Sequence, residues 1–314
     1  MQTPTIMVAT DGAATGEATI RWAAAEAGRR HCRLSVVHVL DWDWTMARYD
    51  IQGAQFEAAR RLAEEVTAGA VAQARAAVPE LDIVASTPVG DPVTRLLDAA
   101  EGAQLLVLGT RGRGGFTGLL LGSVSQRLAT HAACPVVVVR GHAGATEGPV
   151  AAGIDDSPAA EHVLAAAFAA AASRGARLVV VRSYLPAVPL YYLRDAAPEL
   201  VETPEQDAAE RIRLHEQLAP WRERYPDVPV ETLLSHGGAA GLLVGVSRGA
   251  QLVVVGSRGH GVLAGSLLGS TGLQLLQHAE CPVQIVRRSG DQQRGHAPAH
   301  RERRAPRDRA ADPR

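Results

Sequence analysis

The sequence predicts an α/β protein with two tandem domains, each a doubly wound, Rossmann-like, five-stranded parallel sheet in the strand order 3-2-1-4-5. Up to residue 288, short apolar runs alternate with helix-like stretches, which is the pattern of βαβ units. The strand-like runs are apolar at almost every position, which is typical of parallel strands covered on both faces. The whole succession of segments then occurs a second time, so the chain is an internal repeat.

In the first half, strands are predicted where apolar runs are bounded by polar or turn residues. These runs are 5–12, 33–40, 81–87, 105–108 and 134–140. The first run ends in an aspartate followed by small residues, and an alanine-rich stretch then predicts a helix. Helices are predicted at 14–30, 53–78 and 92–101, with a fourth beginning near Ser123.

The second half repeats these elements in the same order. Its apolar runs are 149–157, 177–185, 228–235, 252–255 and 281–288. Its predicted helices are 158–174, 204–225 and 239–248, with a fourth beginning near Ser270. Because parallel strands need a crossover between them, each helix is expected to pack on one face of its sheet.

The chain of 314 residues is long enough for two domains of about 140 residues each. We expect domains at 1–143 and 149–288, joined through the small, polar segment 141–148. From residue 289 the apolar periodicity stops, and the Arg-rich tail 289–314 is expected to be disordered. We interpret its charge run as a solvated end and expect no nucleic-acid binding.

The composition excludes several classes of function. The formal net charge is −1, so no global field favours nucleic acid or a membrane surface. The chain contains no lysine, which excludes a Walker-type phosphate lysine and lysine Schiff-base chemistry. The N-terminus has no secretory pattern, and no apolar stretch reaches the length of a membrane span. We therefore expect a soluble, cytoplasmic protein.

One glycine-rich pattern occurs in both halves, G-x-x-G, nine residues, then G-S. The copies span 109–123 and 256–270, and each follows an apolar strand and precedes a helix. Glycines let a backbone approach a phosphate closely, and the N–H groups at a helix start favour an anion. Doubly wound sheets bind ligands where the strand order reverses. The predicted order therefore places Asp11 beside the first loop and Asp155 beside the second.

These loops, the aspartate after the first strand and the Cys-Pro-Val start of the last strand resemble the universal stress protein family, specifically its tandem members, over residues 1–288. The resemblance implies a stress-response sensor or regulator that binds ATP, with Mg²⁺. It places Asp11 and Asp155 beside the nucleoside, and Val39 and Ser183 at the adenine. It also assigns the phosphates to residues of the loops, namely Gly109, Gly112, Gly122, Ser123, Gly256, Gly259, Gly269 and Ser270.

The two halves depart from the family pattern in different places. Without lysine, Arg111 and Arg258 are the natural cationic partners of a phosphate. Asp156 stands where the family usually has glycine, and we expect it to repel phosphate slightly. The turn Gly90-Asp91-Pro92 is family-like, whereas the second half has Gly237-Gly238-Ala239.

Simpler interpretations stand beside these. The glycines could form only a tight turn, Asp11 and Asp155 could only cap helices, and loop arginines could be solvated. His131 and His278 fit helix C-termini better than metal sites, and Cys134 and Cys281 fit buried apolar positions. We find no catalytic constellation, so we predict a nucleotide-binding module with at most slow ATP hydrolysis. The alternatives are a slow ATPase or a scaffold with degenerate pockets.

The last strand of each half predicts how the two halves pair. The runs 134–140 and 281–288 are rich in Val and Ile and would each lie at an edge of their sheet. Apolar edges are normally covered, so we expect the two halves to pair through them. We also expect a homodimer through edge strands and a regulatory protein partner.

Overall fold

A computed structural model describes residues 3–42, 53–110, 121–185, 203–257 and 268–287. Four predicted loop residues, Arg111, Gly112, Arg258 and Gly259, lie outside the described residues. So does the Arg-rich tail that was expected to be disordered.

Strands and helices alternate along the described chain. The strands are β1 (Thr5–Ala9), β2 (Arg33–Val37), β3 (Ile83–Ser86), β4 (Leu105–Gly109), β5 (Val136–Val139), β6 (Val150–Ile154), β7 (Leu178–Ser183), β8 (Val230–Ser235), β9 (Leu252–Gly256) and β10 (Val283–Val286). The helices are α1 (Glu17–Arg29), α2 (Ala54–Ala77), α3 (Pro92–Ala99), α4 (Ser123–His131), α5 (Ala160–Arg174), α6 (Pro204–Arg224), α7 (Ala239–Ser247) and α8 (Ser270–His278). None of these described helices is both long and apolar enough to cross a bilayer.

The strands join into one sheet in the order β3-β2-β1-β4-β5-β10-β9-β6-β7-β8. Each half is parallel and has the predicted 3-2-1-4-5 order, so the predicted fold class is confirmed. The halves meet where β5 and β10 pair antiparallel, with Val138 opposite Val283. The last strands therefore cover each other within one chain, as expected, and the outer strands of the sheet are β3 and β8.

Helices cover both faces of the sheet, which is why the strands are apolar at nearly every position. On one face, α1, α2, α5 and α6 contribute Ala23, Ala70, Leu164 and Leu214 to one core. On the other face, a second core contains Leu96 of α3, Leu128 of α4, Leu243 of α7 and Leu275 of α8. Both cores run without interruption across the two halves.

The helices after β1 and β6 begin later than predicted. In half one, Gly12 has a φ of +74°, and a short 3₁₀ turn at Ala14–Gly16 precedes α1. In half two, α5 begins at Ala160 rather than at 158. In both places an aspartate side chain accepts a hydrogen bond from the backbone two residues on. Such an Asx turn competes with the first turn of a helix, so the helix starts beyond it.

The connecting segment 141–148 is fixed to half two. The His142 amide donates to the Glu280 carbonyl over 2.9 Å, and the His142 ring contacts the Ala250 carbonyl over 3.0 Å. Gly141 has a φ of +55°, and a Cβ there would lie 1.8 Å from the Glu280 carbonyl oxygen. Gly141 therefore serves close backbone packing at the start of this segment.

Candidate functional site

A cavity of about 510 Å³ lies at the carboxyl ends of β1 and β4, where the strand order of half one reverses. It is called the half-one cavity below. Five predicted site residues line it, Asp11, Val39, Gly109, Gly122 and Ser123. The switch point brings them together because β1 and β4 are neighbours while their connections leave in opposite directions.

The equivalent place in half two holds a smaller cavity of about 230 Å³, called the half-two cavity. It is lined by the equivalent predicted residues, Asp155, Ser183, Gly256, Gly269 and Ser270. The structure thus gathers every described member of the predicted set into two cavities. The remaining members are the four loop residues outside the described part of the chain.

Asp11 and Asp155 shape the turns after β1 and β6. Asp11 Oδ1 accepts from the Ala13 amide over 3.1 Å, and Asp155 Oδ1 accepts from the Ser157 amide over 2.9 Å. The N-cap positions of α1 and α5 are occupied by Gly16 and Ala159. The alternative that these aspartates only cap helices is therefore wrong, and both carboxylates border a cavity instead.

Ser123 and Ser270 lie at the starts of α4 and α8 but do not cap these helices. The N-cap residues are Gly122 and Gly269, both extended, and neither helix has a side-chain cap. Ser123 and Ser270 are instead the first helical residues, one position too late for capping geometry. Their hydroxyls stay at the cavity wall, beside the first amides of α4 and α8, which have no acceptor within their own helix.

Hydrogen bonds hold the base of each glycine loop closed. The Gly122 amide donates to the Thr110 carbonyl, and the Gly269 amide donates to the Ser257 carbonyl, both over 2.7 Å. In half one, Ser125 Oγ also donates to the Gly109 carbonyl over 2.7 Å. These bonds fix the start of each helix against the end of the preceding strand. The positive end of the helix dipole therefore faces the cavity.

Sequence reasoning missed part of the half-one cavity. Pro92 and Leu96 of α3 line it, and so does His38, whose Nδ1 contacts the Thr10 carbonyl over 2.8 Å. The signal for α3 was present in Gly90-Asp91-Pro92, because Asp91 caps this helix by accepting from the Thr94 amide over 2.8 Å. Side-chain and backbone hydrogen bonds from Thr94 lower the pKa of Asp91.

Half two carries an ion-pair cluster whose members Asp156 and Arg182 directly follow or precede the cavity residues Asp155 and Ser183 in the sequence. Arg182 of β7 is buried and pairs with Asp156, and its Nε lies 2.9 Å from Glu210 Oε2. Asp156 is the acid expected to repel phosphate. Because its carboxylate is bound by a guanidinium, that repulsion is reduced.

Two contacts involve residues that line the half-two cavity. Ser183 Oγ donates to the Gly237 carbonyl, which ties the end of β7 to the turn before α7. Leu243 of α7 packs on Gly153 of β6 so closely that a Cβ there would lie 2.6 Å from Leu243 Cδ1. A leucine thus occupies space at the apolar wall of the cavity.

The two cysteines that precede proline and the two matching histidines lie in surroundings that fit structural roles. Burial raises the pKa of Cys134 to about 11 and that of Cys281 to about 12, so both thiols stay protonated at neutral pH. His131 ends α4 and contacts the Arg127 carbonyl over 2.8 Å, and His278 ends α8. Among the described residues, no group of three or more His, Cys, Asp or Glu side chains could hold a metal ion.

The fold and the two cavities define a tandem α/β protein with a loop-and-helix site in each half. The sequence profile of the universal stress protein family matches residues 3–140 and 148–287. The chain therefore belongs to the universal stress protein family, as the resemblance indicated.

Two relatives are similar over nearly the whole chain. Universal stress protein Rv2005c of Mycobacterium tuberculosis is 36% identical over 300 residues, covering 90% of this chain and 97% of that protein. Universal stress protein Rv2623 of the same organism is 33% identical over 293 residues, covering 90% and 96%. The crystal structure of a universal stress protein from Archaeoglobus fulgidus shares the fold. Its TM-score is 0.67 at 19% identity, covering 92% of this chain and 100% of that chain.

Proposed function

We propose that this protein binds ATP, with Mg²⁺, in both halves and works as a nucleotide-dependent sensor or regulator in a stress response. The observation that carries the proposal is the half-one cavity. Its five predicted residues come from three separate parts of the chain and surround one space of about 510 Å³, a size within the usual range of ligand sites.

The chemistry of the half-one cavity suits the parts of a nucleotide in turn. Val39, Leu96 and Leu108 line it with apolar surface, which suits a planar base. Asp11 supplies a carboxylate that can accept hydrogen bonds from ribose hydroxyls. The start of α4 at Ser123 offers amides and a dipole to phosphate. Arg111 and Arg258 remain the proposed cationic partners, with Gly112 and Gly259 as further loop contacts.

We propose that half one is the stronger site. The half-two cavity is less than half as large, at about 230 Å³. A bound Mg²⁺ would be held chiefly by phosphate oxygens and water, with a serine hydroxyl beside them, as is usual for this ion.

The remaining parts of the proposal concern organisation. We propose domains at 1–143 and 149–288 with the tail 289–314 outside them, cytoplasmic placement and a regulatory protein partner. With β5 and β10 paired to each other, a homodimer through edge strands would use β3 or β8, the outer strands of the sheet. We expect hydrolysis to be slow at most.

The test is mass spectrometry of nucleotide released on denaturing freshly purified protein. Wild type is compared with the double variant Gly109→Ala and Gly256→Ala, which adds a methyl group to each cavity wall. Gly69→Ala is the matched control, because a Cβ at this α2 position meets nothing within 4 Å. We expect ATP or ADP from wild type and control, and none from the double variant.

Absence of nucleotide would contradict the proposal. No nucleotide from wild type, together with no thermal shift on adding Mg-ATP, would overturn ATP binding. The two cavities would then be degenerate pockets of a scaffold protein.

A further inference from the structure

Two equivalent arginines cross between the halves. Arg140 directly follows β5 and donates from Nη1 to the Leu275 carbonyl and from Nη2 to the Gln277 carbonyl, each over 2.8 Å. Arg287 directly follows β10 and donates from Nη2 to the Ala129 carbonyl. Each arginine therefore binds the last turn of a helix in the other half, α8 for Arg140 and α4 for Arg287.

These contacts place a cation at the C-terminal end of a helix, where a positive charge is most stabilising. The last carbonyls of a helix have few partners within it, and the negative end of the dipole lies there; the Leu275 carbonyl also accepts from the Ala279 amide over 3.0 Å. Arg287 is 8% exposed, and Arg140 is partly buried. The antiparallel pairing of β5 with β10 fixes both backbones, so each guanidinium is held where it meets the opposite helix.

The same two helices form the candidate sites. α4 begins at Ser123 and α8 at Ser270, both on cavity walls. Each helix has nine residues and is about 13 Å long. A ligand phosphate would thus meet the first turn of a helix whose last turn is held by an arginine of the other half.

We propose that Arg140 and Arg287 are positioning residues that set ligand affinity in the opposite half. This rests on the proposed function that both cavities bind ATP. A short helix moves as one body, so a shift at its first turn reaches the arginine at its last turn. Through that arginine it reaches the paired strands β5 and β10.

The experiment measures affinity in each half separately. Wild type, Arg140→Gln and Arg287→Gln are titrated with 8-azido-ATP and Mg²⁺, photolysed and digested, and labelled peptides of each half are quantified by mass spectrometry. Excess ATP must suppress the labelling. We expect Arg140→Gln to raise the Kd of half two by about threefold or more, and Arg287→Gln to do the same for half one. The other half should change less in each variant.

The control is Arg248→Gln, which removes an exposed pair with Glu280, 3.3 Å apart, near the same connection. It should change neither site. Arg140→Lys keeps the charge but cannot bind two carbonyls in the same way, and it replaces Arg140→Gln if that variant does not fold. An intermediate Kd at half two is expected from it.

A purely structural role would lower thermal stability without a crossed change in affinity. Equal changes at both sites, or none, would overturn the crossed positioning roles while leaving ATP binding intact. Absence of ATP-suppressed labelling in wild type would overturn the proposed function itself. The two failures therefore give different results.

Discussion

Glu26 of α1 and Arg174 of α5 form a buried ion pair between the two halves, with 2.6 Å between Oε2 and Nη2. The Glu26 side chain is fully buried, and it is also bound by Arg29 and Arg30. Three guanidinium groups thus surround one carboxylate on the face of the sheet that carries α1 and α5. The halves are joined there as well as along β5 and β10.

Replacing Glu26 should destabilise the protein strongly. In Glu26→Gln the Arg174 guanidinium stays buried without its carboxylate, and loss of one partner of a buried pair costs about 3–5 kcal/mol. Urea unfolding measures the difference. Glu17→Gln is the control, because its pair with Arg21 is about half exposed and should contribute under about 1 kcal/mol. Equal losses in the two variants would contradict the importance of burial.

The same pair predicts a pH dependence of stability. Burial alone would raise the pKa of Glu26, but Arg174, Arg30 and Arg29 together lower it to about 2. A lowered pKa means that the stabilisation is complete above the unfolded pKa and is lost as the pH falls through the folded pKa. The advantage of wild type over Glu26→Gln should be constant near neutral pH and shrink between about pH 5 and pH 2. A constant difference down to pH 2 would argue against the lowered pKa.

Arg182 should matter for binding in half two. In Arg182→Met the Asp156 carboxylate, next in sequence to the cavity residue Asp155, loses its cation, so the labelling Kd of that half should rise by about threefold or more. Adding Asp156→Asn removes the acid and should restore most of the affinity. Half one is the internal control. If the double variant binds no better than Arg182→Met, the loss comes from packing and not from charge.

The connection between the halves offers a matched pair of glycines. Gly141→Ala should destabilise by about 2 kcal/mol or more, because φ is +55° and the new Cβ would overlap the Glu280 carbonyl. Gly144→Ala lies three residues on, and its Cβ meets nothing within 4 Å. It should change stability little. Thermal unfolding of the two variants decides whether the connection is a packed element or a loose linker.

The fold could be predicted because its signals are local and occur twice. Apolar runs such as 105–108 and 252–255 mark strands covered on both faces, and the repeated loop places the switch point. The cavity residues Asp11 and Gly109 follow from that position. The exact residue at which each helix begins could not be predicted in this way. In α4, for example, Gly122 and not Ser123 is the N-cap.

Other features depend on contacts that no local pattern records. Glu26 stands in an alanine-rich helix, and its partner Arg174 is in the other half. In the sequence, Arg140 and Arg287 are simply polar residues at the ends of strands. Only the antiparallel pairing of β5 with β10 brings each of them to a helix of the other half. Leu243 is an ordinary apolar helix residue by sequence, and only its contact with Gly153 places it at the wall of a cavity.

The central pairing of β5 with β10 lies within one polypeptide. In a dimer of identical subunits, every substitution appears on both sides of such an interface. Here the two halves are separate stretches of one sequence, so a residue of one half can be substituted without the other. For example, half two has Arg182 and Asp156 where half one has His38 and Gly12 at the equivalent positions. The short connection 141–148 keeps the two sides at a high effective concentration. Two cavities of unequal size can thus be inherited together as a fixed pair.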